Sequence, residues 1–409
     1  MKRVVVTGMA ALTPIGNDWL SVSERLKKSV TGIQHMPDWQ EYQGLNTQLA
    51  APVEFSRPAH YTRKQIRGMG RVALLGTYAT ELALQDAGLL EHPILKSGQT
   101  GIAYGSSSGS FDGLVDFTKM LINHNRGSLN ATSYIRMMGH TCAVNISLHF
   151  GVTGRIIPTS SACTSSSQAI GYAYETIKQG RQLVMIAGGA DELSASQAAV
   201  FDTLFATSLR NNEPGKTPRP FDKDRDGLVV GEGGATLILE EREYALSRGA
   251  TIYAEIVGFG TNCDGLHVTQ PDQASMQIAM QLALTDAELS PETIGYVSAH
   301  GTATELGDIA ESQATAAVLG AHVPISSMKS YIGHTLGACG AIEAWTGIHM
   351  TNEGWFHPTV NLEHIDPRCA ELDYIQNGVR TLQCDYFMSN NFAFGGINTS
   401  LIFRAVRSD

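Results

Sequence analysis

The sequence predicts an α/β fold built from two similar halves. Three observations point there. Short apolar runs alternate with helix-period segments along the chain. Glycine is abundant, 42 of 409 residues against 14 prolines, which suits many tight strand–helix junctions and not disorder. The order of elements late in the chain also repeats the order found early.

Length and composition bound the rest. At 409 residues the chain exceeds one ordinary domain, and 43% hydrophobic residues can fill a large core. Six cysteines at irregular spacing, with no C-x-x-C pair, make no disulfide framework and indicate a reduced, cytoplasmic protein. The opening MKRVVVTGMAALTPIG reads as a first strand and not as a signal peptide, because Gly8 and Pro14 interrupt its apolar run. No apolar stretch approaches the roughly 20 residues of a membrane helix. A net charge of −10 disfavours nucleic acid as a partner. An acidic partner would need a local basic patch.

The strands expected in the first half are 4–7, 101–104, 155–158, 183–187 and 235–239. Those of the second half are 252–258, 294–299, 323–326, 386–390 and 399–404. Helical patterns cover 71–87, 165–178, 275–287 and 309–319. Such alternation predicts largely parallel sheets. RIIP leads into SSACTSSSQAIGYAYETIKQG, and PISSMKSYIG leads into HTLGACGAIEAWTGIHMTNEG. Each is a strand, a turn and an Ala-rich helix ending near Gly. The boundary is placed at Gly249, dividing the chain into 1–249 and 250–409, with no linker-like segment between.

Cys163 lies in TSSACTSSSQ, between a strand and a helix. A thiol attacks only as thiolate, and a helix N-terminus favours that anion. The small residues around it let the backbone turn and a substrate approach. A buried structural cysteine is the competing reading, and it is the one kept for Cys142, Cys263, Cys339, Cys369 and Cys384. His300 ends the strand-like YVSAH before Gly301, where α/β enzymes place catalytic groups. His334 follows Gly333 where a helix is expected to begin, and a helix dipole there would bias it toward the neutral form. Lys329 sits in an apolar, small-residue stretch and needs a partner if buried; Glu311 is the expected one. NNFAFGGIN, residues 390–398, reads as a mobile aromatic loop or as a plain hairpin turn. G-x-G-x-x-G is absent, and the thirteen histidines show no metal-ligand spacing.

One Cys and two His at those junctions form a set. The chain resembles the β-ketoacyl-acyl-carrier-protein synthases of the elongating type, within the thiolase-like condensing enzymes. The resemblance spans VVVTGMAALTPIGN, SSACTSS, AGGADE, RPFDKDRDGLVVGEGGATLILEE, AHGTATELGD, KSYIGHTLGACG and NNFAFGGIN, in order. It implies two βαβαβαββ halves in a five-layer α-β-α-β-α sandwich, usually a homodimer. It implies a Cys163–His300–His334 triad supported by a Lys329–Glu311 ion pair. Backbone N–H groups of Cys163 and Phe394 would form an oxyanion hole. Thr302 and Thr304 would contact the phosphopantetheine arm, and Phe394 would gate the pocket. The activity implied is decarboxylative condensation of a Cys-bound acyl chain with a malonyl carrier, with no metal or other cofactor beyond the phosphopantetheine that the substrates carry.

The carrier partner so implied is acidic. Arg63, Lys64, Arg67 and Arg71 in TRKQIRGMGR, with 63, 67 and 71 on one helical face, are a candidate docking patch or a plain solvated helix. Two departures stand out. Ala393 precedes Phe394 where the family usually has Gly, and Ser108 stands where housekeeping members carry a bulky wall of the acyl pocket. These leave room for a dedicated ketosynthase of a specialised polyene or polyketide pathway, such as aryl-polyene assembly, paired with a chain-length-factor-like homologue. A degradative thiolase is disfavoured because residues 390–398 hold no second cysteine. A silent partner subunit is disfavoured because Cys163 and both histidines are present.

Overall fold

The computed structural model describes residues 1–406. Eleven strands form one continuous sheet. We number them β1 Val4–Leu12, β2 Thr100–Gly105, β3 Ile156–Thr159, β4 Val184–Asp191, β5 Gly233–Glu241 and β6 Ala254–Cys263. The remainder are β7 Ile294–Ser298, β8 Pro324–Ser326, β9 Asp373–Tyr374, β10 Tyr386–Phe392 and β11 Ile397–Ala405. The spatial order is β9-β8-β7-β10-β11-β6-β1-β5-β4-β2-β3.

This order contains the repeat. Read outward from the centre, the first half runs β1-β5-β4-β2-β3 and the second β6-β11-β10-β7-β8, with β9 added at the edge. Within each half the strands thus occupy the same places: first, fifth, fourth, second, third. Directions agree as well, antiparallel for β1–β5, β5–β4, β6–β11 and β11–β10, parallel for the others. The halves meet where β1 pairs antiparallel with β6, Val4–Val6 against Ala254–Ile256. Gly249 lies in the turn between β5 and β6.

The expectation of largely parallel sheets is corrected. Half of the pairings are antiparallel, because each half closes with strands that run back against their neighbours. Apolar runs report that a strand is buried, not which way it points. The last two strands are a hairpin, with Phe392 opposite Asn398.

Six helices carry the layers: α1 Arg71–Asp86, α2 Thr141–Phe150, α3 Ser165–Lys178, α4 Gln273–Ala287, α5 Glu305–Leu319 and α6 Cys339–Glu353. Helices α3 and α6 form the middle layer, in contact with each other and with strands of both halves. They are accordingly buried nearly all round. Helices α1 and α2 cover the outside of the first half, α4 and α5 the outside of the second. The result is the five-layer α-β-α-β-α arrangement. Two glycines at matching places let outer helix and strand close up. A Cβ on Gly8 would stand 2.4 Å from the Ala83 carbonyl oxygen, and one on Gly258 2.3 Å from that of Ala283.

The basic stretch 62–71 is not one helix. A short helix, Arg63–Ile66, ends before Gly68, and α1 starts at Arg71. The expected single face through 63, 67 and 71 is therefore corrected: the glycines of GMG bracket a break.

Candidate active site

Cys163 sits in a single 3₁₀ turn, Ala162–Thr164, between β3 and α3. Ala162 takes a left-handed backbone, φ +48°, a conformation that a non-glycine residue holds only where its surroundings demand it. The bend aims the buried sulfur at His334, with Sγ 2.9 Å from Nε2. Burial pushes the thiol up to about 11. The Lys329 charge and the backbone N–H groups of Phe394 and of Cys163 itself hold back part of that rise. Those are the two amides expected to form an oxyanion hole.

His300 follows β7 and is fixed from behind by its own main chain. Its N–H donates to Glu311 Oε1 and that of Gly301 to Glu311 Oε2, both at 2.7 Å. Gly301 has φ +38°, and a Cβ there would meet Ser327 Cβ at 2.6 Å. The two imidazoles stand nearly perpendicular, 5.2 Å between ring centres. Burial, then the nearby Lys329 charge, hold both well below the usual histidine range. Both effects favour the neutral rings.

Two sequence expectations are corrected here. His334 stands just outside the helix start, two residues before a 3₁₀ turn, Leu336–Ala338, that runs into α6. It lies in an extended bridge to residues 229–231, its N–H donating to the Val229 carbonyl at 2.7 Å, and α6 begins only at Cys339. Burial, not a helix dipole, makes it neutral. The partner of Lys329 is not Glu311 but Glu343, with Nζ 2.5 Å from Oε1 and side chains 1% and 0% exposed. Burial works against the Lys329 charge, but the Glu343 carboxylate bonded to it outweighs burial and holds the amine above its usual range. Glu311 instead receives the His300 and Gly301 amides. Glu343, Asn391 and Cys339 were invisible as site residues: they look like ordinary members of an Ala-rich helix and a buried strand.

The triad opens on a cavity of about 500 Å³. Thr302, Thr304, Phe201 and Phe394 line it with Cys163, His300 and His334. Thr302 and Thr304 hold their hydroxyls 2.9 Å apart. Phe394 packs on Phe201, ring centres 5.3 Å apart, at the turn of the β10–β11 hairpin. Ser108 is placed elsewhere. It is exposed on the loop after β2 and lines no part of this cavity.

The donor atoms of Cys163, His300 and His334 lie within 4.8 Å of one another, close enough to ask whether they could hold a metal. The chemistry argues otherwise. Leu336 N–H donates to His334 Nδ1 at 3.2 Å, so the neutral ring carries its proton on Nε2 and turns an N–H toward the sulfur, where a metal would need a lone pair.

Arg57, Arg63, Lys64 and Arg67 are exposed, and all but Lys64 line a shallow groove with Phe55 and Met69. Arg71 lines the groove as well but is paired, its Nη2 2.7 Å from Glu232 Oε2. Arg136 lines the groove too but pairs with Asp112 at 3.0 Å.

Comparison with known proteins places this architecture. A family described as "Beta-ketoacyl synthase, N-terminal domain" matches residues 1–245, and "Beta-ketoacyl synthase, C-terminal domain" matches 253–363. A Synechocystis protein named 3-oxoacyl-[acyl-carrier-protein] synthase 2 is 36% identical over 98% of both chains. The crystal structure of a β-ketoacyl synthase from Burkholderia phymatum covers all of both chains at 57% identity, TM-score 0.98. A solved structure of the ishigamide ketosynthase/chain length factor covers 99% of this chain and 100% of its own at 29% identity, TM-score 0.91.

Proposed function

We propose, for a chain that belongs to the β-ketoacyl synthase family, the reaction of a 3-oxoacyl-[acyl-carrier-protein] synthase. The observation that carries it is the buried sulfur held 2.9 Å from a neutral imidazole, with a second neutral imidazole beside it in one cavity.

The chain is a condensing acyltransferase, and its residues divide the work by geometry. In the first step the Cys163 sulfur attacks an acyl thioester. The thiol proton leaves with the departing pantetheine sulfur. The tetrahedral oxyanion needs donors, and the Cys163 and Phe394 amides, which both act on the sulfur, are the ones at hand. In the second step a malonyl thioester loses CO₂. Its electron pair becomes an enolate whose oxygen needs N–H donors, and neutral imidazoles can supply them without bringing a net charge. The enolate carbon attacks the acyl-cysteine, the Cys163 sulfur departs as a thiolate that takes up a proton from solvent, and a 3-oxoacyl thioester leaves. Lys329, paired with Glu343, favours neutral histidines throughout. Thr302 and Thr304 are suited to the amides of the pantetheine arm.

The partner that brings both substrates is an acidic acyl carrier protein. The groove around Arg57, Arg63 and Arg67, with Lys64 beside it, supports this, since these cations stand against a chain of net charge −10. A dimer fits the opposite feature. Strand β3 is a free edge of the sheet, and Leu121, Ile122, Tyr134 and Leu148 are exposed on the helices preceding it. The second member is a copy of this chain or a chain-length-factor-like homologue. Among the described residues no helix is long and apolar enough to cross a membrane, and the cysteines form no disulfide; a cytoplasmic setting accords with both.

The test is stoichiometric. The enzyme, an acyl carrier and a malonyl carrier should yield one CO₂ for each 3-oxoacyl carrier. CO₂ release without a new carbon–carbon bond, or transfer of the acyl group to water alone, would overturn the assignment.

A further inference from the structure

A neutral imidazole keeps its single proton on one of two nitrogens, and enolate stabilisation needs it on the nitrogen that faces substrate. For His334 the Leu336 amide makes that choice. For His300 the corresponding donor is Asn391, near the end of β10 and fully buried. Its Nδ2 donates to Glu343 Oε2 at 2.7 Å and lies 3.4 Å from His300 Nδ1.

The amide cannot turn over. Glu343 is held by Lys329 through its other oxygen and offers Asn391 only an acceptor. Asn391 Oδ1 packs over Gly340, where even a Cβ would stand 2.6 Å away, and finds no donor. Reversed, the amide would set its oxygen against a carboxylate. The NH₂ therefore faces His300, Nδ1 is left as acceptor, and the ring proton belongs on Nε2. Cys339 steadies the same corner: its thiol donates to the Cys163 carbonyl at 3.2 Å and lies 3.6 Å from Asn391 Nδ2.

We propose that Asn391 is a positioning residue, locked by the Lys329–Glu343 pair, that sets His300 in the Nε2–H tautomer needed for decarboxylation. It lines no part of the cavity and acts only through the imidazole. This rests on the condensing-enzyme reading. Acylation of Cys163 uses the backbone amides and does not depend on the His300 tautomer, so the two half-reactions should separate.

The experiment uses the full-length protein labelled with ¹⁵N-histidine, as wild type and as Asn391→Leu, a variant of similar volume without the donor. Wild-type nitrogen shifts should show His300 as Nε2–H. In Asn391→Leu an Nδ1–H population should appear, and decarboxylation of a malonyl carrier should fall by about a hundredfold or more. Cys163 acylation should stay within a few-fold of wild type. An Nδ1–H signal from wild-type His300 overturns the proposal, as does a folded Asn391→Leu variant that keeps the Nε2–H form or loses both half-reactions equally. Should the variant not fold, the wild-type spectrum decides. The spectrum also reads the tautomer independently of turnover, so an inactive enzyme with the expected spectrum would count against the reaction and not against Asn391.

Discussion

Replacing Lys329 with methionine removes the cation from an ion pair that no water reaches. The side chains of Lys329 and Glu343 are 1% and 0% exposed, with Nζ 2.5 Å from Oε1. Deleting one partner leaves the Glu343 carboxylate buried with only the Asn391 amide as donor. Breaking such a pair costs about 3–5 kcal/mol, mostly the penalty on the orphaned charge. Removing both charges avoids that penalty. Lys329→Met/Glu343→Gln should therefore recover most of the loss, giving a coupling of about 2 kcal/mol or more. Urea unfolding at pH 7 of wild type, both single variants and the double measures this. Catalysis should not recover with stability. Lys329 also lowers the Cys163 thiol and both imidazoles, so the double variant should alkylate at Cys163 more slowly than wild type at a fixed pH. A Lys329→Met protein within about 1 kcal/mol of wild type, or a double variant no more stable than the single, would show that the pair is not needed to keep Glu343 charged.

Other perturbations have equally definite outcomes. With the Cys163 thiol pushed up to about 11, alkylation by iodoacetamide should climb about tenfold per pH unit from pH 7 to 10. The sign follows from burial favouring the neutral thiol, and a plateau below pH 8 would contradict it. Arg63→Glu/Arg67→Glu should raise KM for carrier-bound substrates and flatten its salt dependence, while acylation by a small thioester mimic is unchanged; equal losses on both substrates would remove the docking role. Gly258→Ala places a Cβ 2.3 Å from a backbone oxygen and should cost about 1–3 kcal/mol in the same unfolding assay.

Much of the fold was legible because strands and helices carry their periods in the chain itself. All ten strands expected from apolar runs exist, most of them longer than expected. β5 begins at Gly233, two residues before the apolar run, because its flanking glycines still pair within the sheet. Direction was not legible, since a buried strand looks alike either way. Within the site, Cys163, His300 and His334 could be found because each stands at a strand or turn end in a small-residue setting. The partner of Lys329 could not. Glu343 lies in the next helix, 14 residues on, and only packing of that helix against the Lys329 turn brings them together. Asn391 was hidden for a related reason: a buried amide in a strand is defined by neighbours from two distant segments, His300 after β7 and Cys339 and Glu343 on α6. The break in the basic stretch was readable in hindsight from Gly68 and Gly70.

The most direct measurement is the intact mass and peptide map of the protein after brief exposure to an acyl carrier thioester. One acyl group is expected, on Cys163; it disappears when a malonyl carrier is added and is absent from a Cys163→Ser variant. An acyl group on any other residue, or condensation by Cys163→Ser at the native rate, would contradict it.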